Sequence, residues 1–220
     1  MTEIEAIRAR HAVRNYTAKP LSPEIIDELS QEIEQCNRQG QLHIQLVTEN
    51  EDAFKTFIPL FGRFKNVKNY IALAAKKQDG FYAECGYYGA RLMVKAQQAG
   101  LNSCWVTNTY NAKKCPVTLA PDEELVGVIA IGYGTTDGTQ HKSKSMERLC
   151  KPCSDKWFTD GMNAAVLAPT GLNRQNFFIE ANGNTVSIRT KDNHPMSQIN
   201  TGIVKYHFEI GAGRENFNWE

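Results

Sequence analysis

The longest helical pattern in the chain, Phe81 to Ala99, is apolar nearly all round, with Tyr82, Tyr87, Tyr88, Leu92, Met93 and Val94 spread over its circumference. Such a helix has no face to give to water, so it must lie at the centre of a fold with other elements packed around it. Gly86, Gly89 and Ala90 keep its surface low enough for a neighbour to come very close. With 220 residues, of which 41% are hydrophobic and 22% charged, the chain can bury it within one ordinary domain or between two small intertwined halves.

The other elements read off in order. Ile4 to Ala9 is a short helix with Ile4 and Ile7 on one face. Ser22 and Pro23 form a helix start, as N-cap and first helical residue. That helix turns Ile25, Ile26, Leu29 and Ile33 inward and ends at Gly40 as a C-cap. Leu42 to Val47 alternates as a half-buried strand, Phe54 to Phe64 reads as a loose helix and turn, and Asn69 to Ala75 is a central strand. After the central helix come a strand at Leu101–Val106, a turn at Pro121–Leu125 and a buried strand at Val126–Gly134. Trp157 to Leu167 is a helix, and Phe177–Ala181 and Thr185–Arg189 form a hairpin around Asn182-Gly183. Asn200 to Glu209 is the last helix, closed by Gly211-Ala212-Gly213, and the tail carries Phe217 and Trp219.

Composition excludes several classes. A net charge of +1 gives no bulk attraction to nucleic acid. No apolar run approaches the ~20 residues of a membrane span, and the acidic N-terminus lacks a signal-peptide core. A cytoplasmic protein is expected. Without an oxidising context, six cysteines do not imply disulfides. Cys150-Lys151-Pro152-Cys153 is a CxxC, but it has no second pair with which to hold zinc, so no metal site is expected. The pair reads either as two free thiols in a connector or as a redox pair before a helix. The five histidines are scattered, and no Ser-His-Asp arrangement is visible.

Three stretches carry candidate chemistry. Arg8, Arg10, His11 and Arg14 form a cationic cluster. It reads equally as a solvated basic helix end or as a grip for phosphate or carboxylate, which arginine forks suit. Thr135 to Ser145 is a Gly-, Ser- and Lys-rich loop holding Lys142 and Lys144, with a flexible linker as its plain reading. Ala168-Pro169-Thr170-Gly171-Leu172-Asn173-Arg174-Gln175 joins a helix end to a strand. Its small residues let a flat ligand approach the backbone, and Thr170 and Asn173 offer hydrogen bonds. An internal echo accompanies them. A helix, the tripeptide Asn-Arg-Gln, a strand and a glycine-containing helix occur once from Asn37 to Gly86 and again from Asn173 to Gly202.

Together these stretches resemble the FMN-dependent nitroreductase family. Arg10-His11-Ala12-Val13-Arg14 is similar to its Arg-x-Ser-x-Arg signature, and Ala168 to Gln175 to its Ala-Pro-Ser-x-x-Asn-x-Gln loop. Gly100-Leu101-Asn102-Ser103-Cys104-Trp105 resembles its Gly-Leu-Gly-x-Cys-Trp strand. Val128 to Gly134 with Lys142 and Lys144 resembles its terminal strand and basic pair. The order departs from the usual pattern, because the proline loop follows the basic loop instead of the arginine motif. That fits a branch from anaerobic and thermophilic bacteria in which one chain mimics the ordinary homodimer.

The resemblance implies an α+β fold with a central, mostly antiparallel sheet flanked by helices and internally duplicated. Residues 1–150 would be the first half and 151–220 a shorter second half. It further implies FMN as cofactor, NAD(P)H as donor, and a nitroaromatic, quinone or similar flat acceptor. Arg10, His11 and Arg14 would hold the phosphate and ribityl chain, with Lys142 and Lys144 closing on the phosphate. Pro169, Thr170, Gly171 and Asn173 would line the flavin ring, and Thr107 and Asn108 would sit near N5 and the pyrimidine edge. Ala12 replaces the family serine, removing one phosphate contact. No protein residue would need to be catalytic, since the flavin carries the chemistry. The expected partner is a small molecule, with no nucleic acid or membrane, and the chain is expected as a monomer or weak oligomer. A flavin-binding or sensing module without efficient turnover is the alternative, and a Cys150/Cys153 relay to the flavin a further one.

Overall fold

A computed structural model of the chain describes residues 1–55 and 64–220. A 3-10 turn, Asp52–Phe54, reaches the start of the expected loose helix and turn at Phe54 to Phe64, and most of that stretch, residues 56–63, lies outside the described residues. Five helices are described: α1 Glu3–Ala9, α2 Pro23–Gly40, α3 Phe81–Gln98, α4 Lys156–Ala165 and α5 Pro195–Ala212. The strands are β1 Gln45–Val47, β2 Asn69–Lys76, β3 Asn102–Val106, β4 Glu123–Gly132, β5 Phe177–Asn182, β6 Thr185–Thr190 and β7 Asn218–Trp219. The class is α+β. No helix among the described residues is long and apolar enough to cross a membrane.

The chain divides into two compact units. The sheet unit comprises Ala9–Phe81 and Leu92–Gln140. Its four strands run in the order β1-β2-β4-β3, all antiparallel. Tyr70 to Ala75 of β2 and Val128 to Ile131 of β4 are buried throughout, as inner strands covered on both faces must be. One face packs Val13, Tyr16, Val47, Val67, Tyr70, Ala72, Val106, Val128 and Ala130 into a core. The helical unit comprises Met1–Arg8, Tyr82–Arg91 and His141–Glu220. It contains α4, α5, most of α1, the N-terminal part of α3, and the sheet β5-β6-β7. Trp157, Phe158, Phe208, Phe217 and Trp219 form its aromatic core, with Trp157 and Phe217 stacked 5.6 Å apart.

Within the helical unit α3 and α5 interlock. A side-chain carbon on Gly86 would overlap the Ile199 carbonyl, and one on Gly202 would overlap the Ala83 carbonyl. The low surface expected on the central helix is therefore used, and used reciprocally.

Several boundaries differ from expectation. α2 starts at Ser22 and Pro23 as read, but its cap is Gln41 in the left-handed region (φ 51°), one residue past Gly40. β1 is shorter than Leu42–Val47 because the Asn37 side chain takes the Ile44 backbone, donating to its carbonyl at 2.9 Å and accepting from its N–H at 2.7 Å. Glu123 to Leu125 extend β4 instead of forming a turn. In the hairpin Asn182 pairs with Thr185, so the two-residue loop is Gly183-Asn184, with the glycine first and at φ 56°. α5 begins five residues before Asn200, where Pro195 is the first helical residue and the His194 ring accepts from the Met196 N–H. The tail adds β7 beside β6 in parallel.

Candidate functional site

The cationic segment lies in the sheet unit. Ala12 bridges Ser103 of β3, whose carbonyl accepts from the Val13 N–H at 3.1 Å. Tyr16 bridges Gly134 beyond β4, and its hydroxyl donates to the Val13 carbonyl at 2.7 Å. Gly138 packs on His11 and Val13 so closely that a side-chain carbon there would come within 2.9 Å of the His11 Cβ. The segment is thus pinned along the sheet edge by β3 on one side and the loop after β4 on the other.

Arg10 is only 4% exposed. Its Nε and Nη1 have no hydrogen-bond partner among the described residues. Burial holds its pKa down to about 10, with Cys104 pulling slightly the other way. A buried, unpaired guanidinium costs several kcal/mol unless something anionic meets it. The Ser103 hydroxyl is likewise buried without a partner. Burial raises the Cys104 thiol, against the pull of Arg14 and Arg10, so it stays a neutral thiol. Arg14 and Ala12 are exposed, and His11 is half-buried. Thr107 and Asn108 follow the far end of β3, and the Thr107 methyl lies over Gly127. Thr107 is four positions on from Ser103, about 13 Å along a strand.

The proline loop lies in the helical unit, and its organiser is Gln175, a residue given no role from sequence. Gln175 is 1% exposed. Its amide nitrogen donates to the Val166 carbonyl at 3.0 Å and its Oε1 accepts from the Lys144 N–H at 2.7 Å. Its own N–H donates to Thr170 Oγ1 at 3.0 Å. His141 Nε2 and Ser143 Oγ also reach the Val166 carbonyl, at 3.0 and 3.2 Å. The basic loop and the proline loop are therefore laced onto the end of α4.

Further ties complete the loop. Lys144 Nζ donates to the carbonyls of Arg174 and Gln175. Asn173 Nδ2 donates to the Lys142 carbonyl at 2.8 Å. The Gly171 N–H donates to Asn200 Oδ1 of α5 at 3.1 Å. Pro169 and Thr170 are half-buried, and Asn173 and the Lys142 side chain are exposed. Leu172, Asn173 and Gln175 all adopt left-handed φ, at 52°, 53° and 44°. Each such residue costs about 1–2 kcal/mol, so the lacing over-determines a shape that the chain alone would not adopt.

Of the residues singled out from sequence, the helical unit brings Lys142, Lys144, Pro169, Thr170, Gly171 and Asn173 together in one laced loop pair. The sheet unit gathers Arg10, His11 and Arg14 on one segment, with Thr107 and Asn108 beyond the far end of β3. Two contributors escaped the sequence. Gln175 was visible only as the last letter of a motif, and Asn200 only as a helix residue. No group of three or more His, Cys, Asp or Glu among the described residues is arranged to hold a metal, and all six cysteines are free thiols.

A family described as "Putative TM nitroreductase" matches residues 3–212. A crystal structure of a putative nitroreductase from Thermotoga maritima superposes with a TM-score of 0.69 at 19% identity, over 98% of this chain and 85% of that one. A putative nitroreductase from Desulfovibrio desulfuricans in complex with FMN gives 0.57 at 14% identity, over 70% of this chain and 99% of that one. A putative NADH dehydrogenase/NAD(P)H nitroreductase from Parabacteroides distasonis gives 0.54 at 19% identity, over 67% and 95%. No curated protein matches significantly.

Proposed function

This chain belongs to the family described as "Putative TM nitroreductase", and we propose that it works as an FMN-dependent oxidoreductase. Its donor is NAD(P)H and its acceptor a nitroaromatic, quinone or similar flat molecule. The observation that carries the reading is Arg10, a buried guanidinium with two partnerless nitrogens. A phosphate monoester supplies the acceptor oxygens that this group lacks, by charge-assisted bonds roughly twice as strong as neutral ones. The residues present fit the cofactor. When bound, FMN would supply a ring able to accept and donate hydride.

The chain's own residues bind and orient. Arg10, His11 and Arg14 would hold the phosphate and ribityl chain, and Lys142 and Lys144 would close on the phosphate. Lys144 would do so while fastening the turn at Arg174 and Gln175. Pro169, Thr170, Gly171 and Asn173 line the ring. Thr170 Oγ1 already accepts from Gln175, which leaves its hydroxyl proton to donate. Asn173 gives one amide N–H to the Lys142 carbonyl, which leaves its other N–H to donate and its Oδ1 to accept. Thr107 and Asn108 would sit near the N5 and pyrimidine edge.

We further read the chain as internally duplicated, 1–150 and 151–220 standing for the two subunits of an ordinary dimer. The reciprocal packing of Gly86 and Gly202 supports this. Each glycine meets the carbonyl of the residue three before the other, which is the signature of an isologous contact. The test of function is anaerobic stopped-flow. FMN-loaded protein mixed with NAD(P)H should bleach its flavin and recover colour on adding a quinone or nitroaromatic. Flavin that binds but never bleaches would point to the sensing module instead.

A further inference from the structure

Three segments of the helical unit bring cations to the start of β5. Lys144 Nζ reaches Asn176 Oδ1 at 3.5 Å, one residue before the strand. Lys191 directly follows Thr190, which pairs with Phe177, so it leaves β6 at the same end where Asn176 leads into β5. Arg148 directly precedes Leu149, whose carbonyl accepts from the Ile179 N–H at 2.8 Å while Cys150 bridges Ile179 in parallel, which sets Arg148 toward the same strand end. Arg174 sits in the turn that Lys144 fastens.

Arg148, Arg174 and Lys191 are exposed, and no ion pair joins them to a carboxylate among the described residues. The neighbouring acids are engaged locally. Asp192 accepts from Ser197 Oγ at 2.6 Å and from the His194 N–H at 3.1 Å, and Glu147 is held by its own backbone and Ser145. Arg189, by contrast, pairs with Glu180 at 2.8 Å. The Lys144 ammonium is held below its usual pKa by burial and by the like charges of Arg148 and Lys191. Asp192 and Glu147 keep their charge, so the patch is net positive with no direct ion pair to Arg148, Arg174 or Lys191 among the described residues, and through Arg174 it continues in chain from the loop Thr170 to Asn173.

We propose that Arg148 and Lys191, with Arg174 beside them, form the subsite for the 2′-phosphate of the nicotinamide donor, so that the protein uses NADPH in preference to NADH. The inference rests on the oxidoreductase reading. A resident cofactor suits a desolvated cation such as Arg10. A donor that leaves after every turnover suits exposed charges, which raise the encounter rate and let the product go. The two dinucleotides differ only in the 2′-phosphate, and arginine is the residue that accommodates it.

The test has two arms on the full chain. Adenosine 2′,5′-bisphosphate and 5′-AMP are titrated calorimetrically, and NADPH and NADH are compared by the rate at which they bleach FMN-loaded protein. The wild type should bind the bisphosphate at least tenfold more tightly than AMP and be bleached faster by NADPH. Arg148→Ala/Lys191→Ala should lose most of both preferences, with NADH bleaching, FMN content and melting temperature unchanged. Equal affinity for bisphosphate and AMP overturns the assignment, as does a variant that slows both donors alike. Selective bisphosphate binding that depends on Arg148 and Lys191, in a protein that neither donor bleaches, upholds the subsite and sinks the oxidoreductase reading instead.

Discussion

Gly86 of α3 and Gly202 of α5 face each other's helix in the same way, each against the carbonyl three residues before its counterpart. A side chain at either place would have to displace backbone. Gly202→Ala should therefore destabilise the protein by about 1–3 kcal/mol or more through overpacking. Gly86→Ala should do the same. Thermal melts of both variants check this, and an unchanged melting temperature would mean that the helices have room to part.

Gln175 is the second structural key. Replacing it by leucine removes two side-chain hydrogen bonds at once and leaves the buried Lys144 N–H to find another partner, while the backbone N–H of residue 175 can still donate to Thr170 Oγ1. The expected cost is about 1–3 kcal/mol for each buried group left unsatisfied. The left-handed residues of the loop should then relax. Loss of stability together with weaker FMN binding is the predicted pair of outcomes, read by melting and by flavin titration.

Arg10 makes an opposite prediction for stability. The FMN-free chain bears the desolvation of its charge at every pH below about 10. Arg10→Met removes that charge while keeping an apolar stem of similar length. The flavin-free variant should melt no lower than the wild type, and higher if the stem repacks well. Its affinity for FMN should fall tenfold or more. Stability conceded for binding is the usual trade at a functional site.

One pH dependence follows from Glu123. It accepts from His43 Nδ1 at 2.8 Å and from the Ala120 N–H at 2.7 Å, and these hold its pKa below the usual glutamate value. A depressed carboxyl contributes stability above its unfolded pKa, about 4.3, and loses it as pH falls through the lower folded value. Glu123→Gln should therefore lose less on acidification through that window than the wild type. The difference should be no more than about 1 kcal/mol, because the pair is close to solvent. Melting curves at several pH values between ~5 and ~3 measure it.

Much of this was legible in the residues themselves. The all-round apolarity of Phe81–Ala99 marked α3 as central, Ser22-Pro23 marked the start of α2, and Gly183 marked the hairpin to within one residue. What escaped had local causes. A histidine cap hid the first turn of α5, because His194 is not an ordinary capping residue. The two residues of β7 carry no periodicity, and their pairing with β6 comes from packing of Phe217 and Trp219. Asn37 took backbone groups that the alternation of Leu42–Val47 had promised to a sheet. The division of the strands between two sheets depends on contacts far apart in sequence. At the site, composition marked the cations and the small loop, but not that Arg10 would be buried without a partner, nor that Gln175 would lace two loops together. Those are properties of the folded neighbourhood.

The most direct measurement is a titration of FMN into flavin-free wild-type protein and Arg10→Met, followed by flavin fluorescence and by the colour retained after desalting. The wild-type protein should be yellow with one FMN per chain, and the Arg10→Met variant should fold but lose the flavin on the column. A wild-type protein that stays colourless, or a variant that holds FMN as tightly as the wild type, would contradict this.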